Sequence, residues 1–200
     1  RPDNGQAGAI TMVGSRQYPD EPSGPFPSPP TTFEDREGRS IEIRAPAAFA
    51  DDALDDVVEM YVEFDPTDRA QGIPPTGADR IRNWLETIAE DSVTVVAFHD
   101  GDAIGHAMLV PDSDDPDAIE AKSGIEWELA IFVLQAYQQA GIGTVLLENL
   151  LGHASDLGIR RVWLTVERWN NPAIALYERV GFESTGTESF EQEMAILLDN

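Results

Sequence analysis

The sequence predicts a mixed α/β domain in which helices are interleaved with the strands of a mixed sheet. Three observations lead to this fold class. Apolar residues recur at helical spacing in several segments, short apolar runs typical of strands lie between them, and turns containing glycine separate the two kinds of segment. With 200 residues, of which 42% are hydrophobic, the chain is long enough to bury the core of such a domain.

The first part of the domain is predicted to be a strand followed by two helices. Residues 41–44 alternate apolar and polar side chains, as a strand does. Residues 47–64 and 76–88 carry apolar side chains three and four positions apart, which is the spacing of one helix face. Thr76 and Asp79 resemble the capping box that begins a helix. The predicted inward faces are Leu54, Val57, Val58 and Tyr61 in the first helix and Ile81, Trp84, Leu85 and Ile88 in the second.

The second part alternates strands with helices. One of its helices is predicted to end at Gly158, a glycine in the C′ position. The side chains of this helix that are predicted to face inward are Leu146, Leu147, Leu150, Leu151, Ala154 and Leu157. The predicted elements are, in order, a hairpin of strands 93–99 and 103–110, an acidic loop 112–120, a strand 125–133, the helix that ends before 158, a strand 159–166, a helix 172–180, and a hairpin that ends at 194–198.

The chain is strongly acidic. Thirty-seven Asp and Glu residues stand against 13 Lys and Arg, a formal net charge of −24, and Lys122 is the only lysine. This balance argues against nucleic-acid and membrane partners, because both need a basic surface. An acid-rich, lysine-poor composition resembles that of proteins from salt-accumulating halophiles, and we expect that source in preference to an acidic mesophile. Molar salt there would screen the self-repulsion of the chain.

Residue types missing from the chain narrow its chemistry. Cysteine is absent, which excludes disulfides, thiolate metal sites and a cysteine nucleophile. His99, His106 and His153 lack the spacing of metal ligands, so no metal site is expected. No apolar run is long enough to span a bilayer and no hydrophobic signal segment opens the sequence, so a soluble, cytoplasmic protein is expected.

The N-terminal segment differs from the rest. Half of the 14 prolines lie before residue 40, in a stretch without helical periodicity. We expect residues 1–39 to be a Pro-rich extension, a tail or packing arm rather than a ligand for a partner domain, and residues 40–200 to form the single domain.

One turn has the features of a phosphate-binding site. Gly141 and Gly143 stand between the strand at 125–133 and the helix that follows, so the main chain can approach a ligand closely. Unpaired N–H groups at the start of a helix attract an anion, and the helix dipole adds to the attraction. The turn is neither a P-loop nor a dinucleotide-binding fingerprint, whose third glycine would fall at Leu146. The complete candidate turn is Gln138, Gln139, Ala140, Gly141, Ile142, Gly143 and Thr144.

Two motifs resemble those of the GNAT family of N-acetyltransferases. The residues Gln138-x-x-Gly141-x-Gly143 are similar to the family's Q/R-x-x-G-x-G/A signature, which grips the pyrophosphate of acetyl-CoA. The residues from Asn170 to Phe182 resemble its N-x-x-A-x-x-L-Y-x-x-x-G-F motif. The resemblance covers about residues 40–200 and implies a central mixed, mostly antiparallel sheet of six to seven strands flanked by about four helices.

The resemblance implies roles for individual residues. Tyr177 would protonate the departing thiolate of coenzyme A, and a phenol with a usual pKa near 10 keeps its proton at neutral pH. By resemblance, Asn170 would hold the pantetheine arm or the helix entry, and Ala173 would belong to the cofactor site. The residues themselves predict Asn171 as the cap of this helix, with Pro172 at the first helical position. The main chain of Ile131, Phe132 and Val133 would pair with the pantetheine.

The base that deprotonates the acceptor amine is Glu128, Glu126 or a chain of water molecules, and we favour Glu128. A bulge in the strand would change which of the two side chains faces the cleft. Arg160, Arg161 and Arg168 are candidates for the 3′-phosphate or for surface ion pairs. Acceptor specificity in this fold depends on the segments 65–77, which includes Arg69, and 184–189.

The sequence therefore predicts an enzyme that transfers an acetyl group from acetyl-CoA to a primary amine by direct attack in a ternary complex. The acceptor is a small molecule or a protein, and a homodimer stays open. A non-catalytic acyl-CoA-binding or sensing module is the alternative, but the intact Tyr177 and glycines speak against it. A nucleotide-binding domain of another family is disfavoured by residues 170–182.

Overall fold

The computed structural model of the chain describes residues 16–46, 51–65, 74–122, 124–187 and 190–199. Within these ranges eight strands form one sheet, with five α-helices around it. The strands are β1 (Thr31–Glu34), β2 (Ser40–Arg44), β3 (Val93–His99), β4 (Asp102–Pro111), β5 (Glu126–Val133), β6 (Arg161–Glu167), β7 (Glu183–Thr187) and β8 (Glu191–Leu197). The helices are α1 (Asp51–Glu63), α2 (Ala78–Ala89), α3 (Pro116–Ala121), α4 (Ile142–Asp156) and α5 (Asn171–Val180).

The predicted fold class is confirmed: the sheet is mixed and mostly antiparallel. Its strand order is β1-β2-β3-β4-β5-β6-β8-β7, and β5 with β6 is the parallel pair. Two elements exceed the expected number. Thr31–Glu34 pairs with β2 as an eighth, edge strand, and Pro116–Ala121 forms a short helix inside the acidic loop, where the Asp115 side chain accepts from the N–H of Asp117.

The sheet separates two apolar clusters. On one face α4 packs between the strands and α5, and on the other α1 and α2 cover β3 and β4. The helix faces predicted from periodicity are the packed ones, with one exception, because Leu157 is 39% exposed at the end of α4. The alternation along β5 assigns Trp127 and Leu129 to the α4 side and Phe132 to the α1 side.

The predicted capping box at Thr76 is wrong. The helix α2 begins at Ala78, its N-cap is Gly77 with φ of 92°, and no side chain makes a capping hydrogen bond. A left-handed residue at the helix start favours glycine and turns the preceding chain away from the helix axis, so the threonine hydroxyl does not reach the first N–H groups.

The segment before β1 runs across the domain. Ser23 makes main-chain hydrogen bonds with Leu197, the last residue of β8, and with Asp199 just beyond it. The carbonyl oxygen of Pro27 lies against Gly152 of α4, where a Cβ atom would be only 2.1 Å away. The boundary between extension and domain after residue 39 stays a prediction. No helix among the described residues has the length and apolarity needed to cross a membrane.

Candidate active site

The parallel strands β5 and β6 pair at one end only. Their register joins residues 126–128 to residues 161–163. Both strands lie wholly within the described ranges, and their later residues, up to Val133 and Glu167, do not pair with each other. The strands therefore diverge, and the edge of β5 that faces β6 is left for an extended ligand to pair with.

The turn after β5 presents free main-chain N–H groups. Gly141 is the N-cap of α4, with φ of 91°, and no side chain caps this helix. For the N–H groups of Ile142, Gly143 and Thr144 the described part of the chain provides no acceptor. Free N–H groups at the positive end of a 15-residue helix form a site for an anion.

The other predicted residues of this turn act through the main chain or shape it. Ala140 and Ile142 have buried side chains. The side-chain amide of Gln138 donates to the carbonyl oxygen of Val133 at 3.0 Å, which ties the turn to the end of β5. Gln139 adopts a left-handed φ of 61°. The groups of this turn that can bind a ligand are therefore main-chain groups.

The strand residues predicted to hold the pantetheine have their side chains engaged in packing. Ile131 and Val133 contact the cluster on the α4 side, and Phe132 packs edge-on against Tyr61 and Phe64 on the other. Their register with β4 is unbroken from Trp127 to Val133. Only main-chain groups of these three residues are therefore positioned for a ligand in the opening between β5 and β6.

Arg36 is a candidate functional residue that the sequence analysis missed. It lies in the turn between β1 and β2, where its N–H donates to the carbonyl oxygen of Ala140 at 3.0 Å. Its Nε lies 3.7 Å from the point that a Cβ atom on Gly141 would occupy. The side chain is exposed and forms no ion pair with any described residue. A free guanidinium thus stands beside the anion site, and no motif indicates it because 104 residues separate it from Ala140 along the chain.

The helix α5 brings Tyr177 towards the same turn. Leu176 packs on Gly143, and Tyr177 contacts Phe182 with ring centroids 5.7 Å apart. Burial raises the pKa of Tyr177 to about 12. Its hydroxyl has no hydrogen-bond partner among the residues described. The phenol is therefore held protonated and its proton is available to a ligand.

The start of α5 corrects one expectation. The N-cap is Asn170, whose side-chain oxygen accepts from the N–H of Ala173 at 3.3 Å, and Asn171 and Pro172 are the first helical residues. Asn171 therefore does not cap the helix. The capping hydrogen bond places Asn170 at the entry of the helix, one of its two expected roles beside contact with the pantetheine arm. Ala173 packs against the core.

The two candidate bases share a face of β5. The unbroken register leaves no bulge in the strand, so Glu126 and Glu128 point the same way. Glu126 is paired with Arg16, whereas Glu128 is partly exposed and makes no ion pair within the described residues. Burial, together with the negative charge of Asp112, raises the pKa of Glu128, while Arg16 opposes the shift. Glu128 is therefore the carboxylate with which no described arginine forms an ion pair and that holds its proton more tightly than an ordinary Glu does.

Several predicted contributors lie elsewhere or outside the described residues. Arg161 pairs in register with Glu126, at the end of β5 opposite to the anion site, so Arg161 and its neighbour Arg160 do not lie near the phosphate turn. Of the predicted specificity segments, residues 66–73, with Arg69, and residues 188–189 are outside the described residues.

Comparison with known proteins identifies relatives of this chain. The sequence model of the Acetyltransferase (GNAT) family matches residues 54–182. An uncharacterized N-acetyltransferase from Mycobacterium tuberculosis (strain H37Rv) is 34% identical over 96 residues, which are 48% of this chain and 56% of that protein. The spermine/spermidine N(1)-acetyltransferase of Bacillus subtilis (strain 168) is 32% identical over 103 residues, 50% of this chain and 65% of that protein. The chain thus spans less than two thirds of the length of these relatives.

The fold has counterparts among solved structures. The GNAT domain of S. lividans PAT superposes with a TM-score of 0.68 at 20% sequence identity, over 84% of this chain and 96% of that chain. An identity this low shows the fold alone. The mixed, mostly antiparallel sheet predicted from the sequence is therefore also the sheet of a known architecture.

Proposed function

Because the chain belongs to the acetyltransferase (GNAT) family, we propose that it transfers an acetyl group from acetyl-CoA to a primary amine. One observation supports the proposal: the described residues provide no acceptor for the N–H groups at the start of α4, which follows the open edge of β5, and Leu176, next to Tyr177, packs on Gly143 of that helix. An anion site, a strand edge and a proton donor are what a phosphorylated thioester donor requires.

The residues present fit this cofactor. The main chain of Gly141–Thr144 would hold the pyrophosphate, with Arg36 as a cationic neighbour. The main chain of Ile131, Phe132 and Val133 would hold the pantetheine. When bound, acetyl-CoA supplies the acetyl group as an activated thioester.

The protein's own residues move two protons. The acceptor must lose a proton from its ammonium group before its nitrogen can attack, and the carboxylate of Glu128 accepts that proton. Glu128 is favoured over Glu126 because its pKa is raised and its carboxylate is not tied to an arginine. The Oη of Tyr177 holds the proton that the departing thiolate takes up, and a pKa of about 12 keeps that proton in place at neutral pH.

The acceptor is proposed to be a small amine. The similarity to the Bacillus protein named for spermine and spermidine supports this choice over a protein amino group. The acidic, lysine-poor composition supports a salt-rich cytoplasm as the place where the enzyme works.

The test is release of coenzyme A, followed with a thiol reagent, from the full chain mixed with acetyl-CoA and a panel of primary amines in concentrated KCl. Release that requires both acetyl-CoA and an amine is the expected result. Binding of acetyl-CoA without release by any amine would support the non-catalytic binding module instead.

A further inference from the structure

A cation from the N-terminal segment, the guanidinium of Arg16, lies among aromatic and acidic side chains on the face of the sheet that carries Glu128. We call this set of side chains the cage. The guanidinium of Arg16 lies flat over Trp163, with its Cζ 3.6 Å from the ring centroid. The same group forms ion pairs with Glu126, with Glu193 at 3.0 Å and with Asp112 at 3.5 Å. Only 16% of the Arg16 side chain is exposed. An aromatic face with carboxylates around it is how proteins bind guanidinium and ammonium groups.

The walls of this cage are positioned without Arg16. Trp163 lies in the middle of the sheet, where β6 pairs with β5 and β8. The hydroxyl of Thr185 donates to Oε1 of Glu193 at 2.8 Å, so this carboxylate is fixed from the side opposite to the arginine. The indole N–H of Trp163 is buried and lacks a hydrogen-bond partner within the described ranges. An aromatic face and a carboxylate that the sheet itself positions form a site that a cation other than Arg16 can also use.

The cage stands beside the proposed base. Glu126 is two residues before Glu128 on the same face of β5, a separation of about 7 Å. Trp163 pairs in register with Glu128 on the neighbouring strand. An amine whose proton is taken by Glu128 could therefore place a second charged group over Trp163, if the two nitrogens are separated by a few methylene groups.

We propose that Trp163, Glu126, Glu193 and Asp112 form a subsite for a second cationic group of the acceptor, and that Arg16 fills this subsite as a tethered competitor. The preferred acceptor is therefore a diamine or a guanidino-amine. This inference rests on the proposed function, because it concerns the same acetyl transfer.

The tether explains how an intramolecular cation can be displaced. Among the described residues of the segment, the main-chain attachment to the sheet that lies nearest to Arg16 is at Ser23, seven residues later. A short tether gives Arg16 an effective concentration of the order of millimolar, which raises the concentration of acceptor that is needed but does not prevent binding. Removal of the guanidinium should consequently favour dicationic acceptors over monocationic ones.

The experiment compares 1,4-diaminobutane with butylamine as acceptors for four proteins: the full chain, Arg16→Gln, the double variant Arg16→Gln with Glu193→Gln, and Arg44→Gln. The last is a matched control, because Arg44 also pairs with a carboxylate, Glu42, and lies over an aromatic ring, Phe98, but stands on β2, four strands away from β6 in the sheet. We expect Arg16→Gln to lower the KM for the diamine about tenfold. Adding Glu193→Gln to that variant should raise the KM about tenfold, the usual range for one desolvated charge contact. The KM for butylamine should change less than that for the diamine in both variants, and Arg44→Gln should match the full chain with both amines.

A binding measurement separates this inference from the acetyl transfer itself. Calorimetric titration of 1,4-diaminobutane into the Arg16→Gln protein, without acetyl-CoA, should give saturable binding that the additional change Glu193→Gln weakens. If Arg16→Gln only lowers the unfolding temperature and leaves both KM values equal to those of the full chain, Arg16 only stabilises the fold and the subsite is disproved. If the diamine binds but no amine releases coenzyme A, the subsite stands and the proposed function fails.

Discussion

Leu176 of α5 packs directly on Gly143 of α4, with its Cδ1 atom 3.4 Å from the point that a Cβ atom at residue 143 would occupy. This contact joins the two sequence motifs in space, because Gly143 belongs to the anion-binding turn and Leu176 precedes Tyr177. Any side chain longer than a methyl group at residue 143 would push α5 away from the start of α4. The glycine thus positions the candidate proton donor relative to the candidate cofactor site.

The first prediction concerns Tyr177. Replacement by phenylalanine removes the proton donor and keeps the ring packed against Phe182. We expect kcat to fall about 100-fold, the lower range for loss of a general acid, with the affinity for acetyl-CoA nearly unchanged. Steady-state kinetics and calorimetry check the two parts, and a variant with the kcat of the full chain at all pH values would refute the role of this hydroxyl.

The second prediction concerns Glu128. We expect Glu128→Gln to lower kcat/KM about 100-fold, while the exposed control Glu120→Gln retains the rate of the full chain. If Glu128→Gln keeps full activity, the base is another group.

The same variant has a predicted effect on stability. The pKa of Glu128 is raised in the folded state, so the folded protein holds this proton more tightly than the unfolded chain does. Stability therefore falls as the pH rises through the window between the usual pKa of Glu and the raised one. Glu128→Gln should unfold at a higher denaturant concentration than the full chain at neutral pH, and the difference should vanish in acid, where both states are protonated. A variant less stable at neutral pH would contradict the direction of this shift.

The third prediction concerns Arg36. We expect Arg36→Gln to weaken binding of acetyl-CoA about tenfold, because a charge-assisted contact to a phosphate is lost. The exposed control Arg82→Gln, whose arginine pairs with Asp55, should bind normally. Titration with 3′-dephospho-acetyl-CoA identifies the phosphate: an equal loss for both ligands indicates the pyrophosphate, and a loss for acetyl-CoA alone indicates the 3′-phosphate. Unchanged affinity for both would exclude Arg36 from the site.

The fourth prediction concerns salt. With a formal net charge of −24, the folded chain is destabilised by self-repulsion in dilute buffer. At about 1 M salt the Debye length is only about 3 Å, so we expect the unfolding temperature to rise markedly between about 0.1 M and 2 M KCl. Thermal melts followed by circular dichroism measure this, and an unfolding temperature independent of KCl would contradict the halophilic origin.

The sequence predicted the elements whose signals are local. The strands, the long helices and the turn at Gly141 follow from periodicity and glycine positions, and the motif around Tyr177 follows from resemblance. Contacts between residues distant along the chain gave no signal. Arg16 meets Glu126 across 110 residues, and nothing near either residue indicates the pair. His106 likewise lacked any pattern, yet it is fully buried with the hydroxyls of Tyr61 and Thr94 at its two ring nitrogens, 2.7 and 2.5 Å away.

Errors in the prediction arose where two neighbouring residues compete for one role. Thr76 has the side chain of a cap, but the φ of 92° at Gly77 gives that position to the glycine. Asn170 and Asn171 are both good N-caps, and the observed start of α5 depends on the preceding turn, in which the N–H of Asn170 bonds to the carbonyl of Glu167. Backbone conformation at a single residue decided each case, and side-chain chemistry does not specify it.

The most direct test of the account is calorimetric titration of acetyl-CoA into the full chain at about 2 M KCl, a concentration at which charge repulsion is largely screened. ATP and NAD serve as controls, because both could occupy a generic anion site at a helix start. Saturable binding of acetyl-CoA at one site, without binding of the controls, is the predicted result. Absence of acetyl-CoA binding, in a protein shown by circular dichroism to be folded in that salt, would contradict the proposed transferase and leave only the fold.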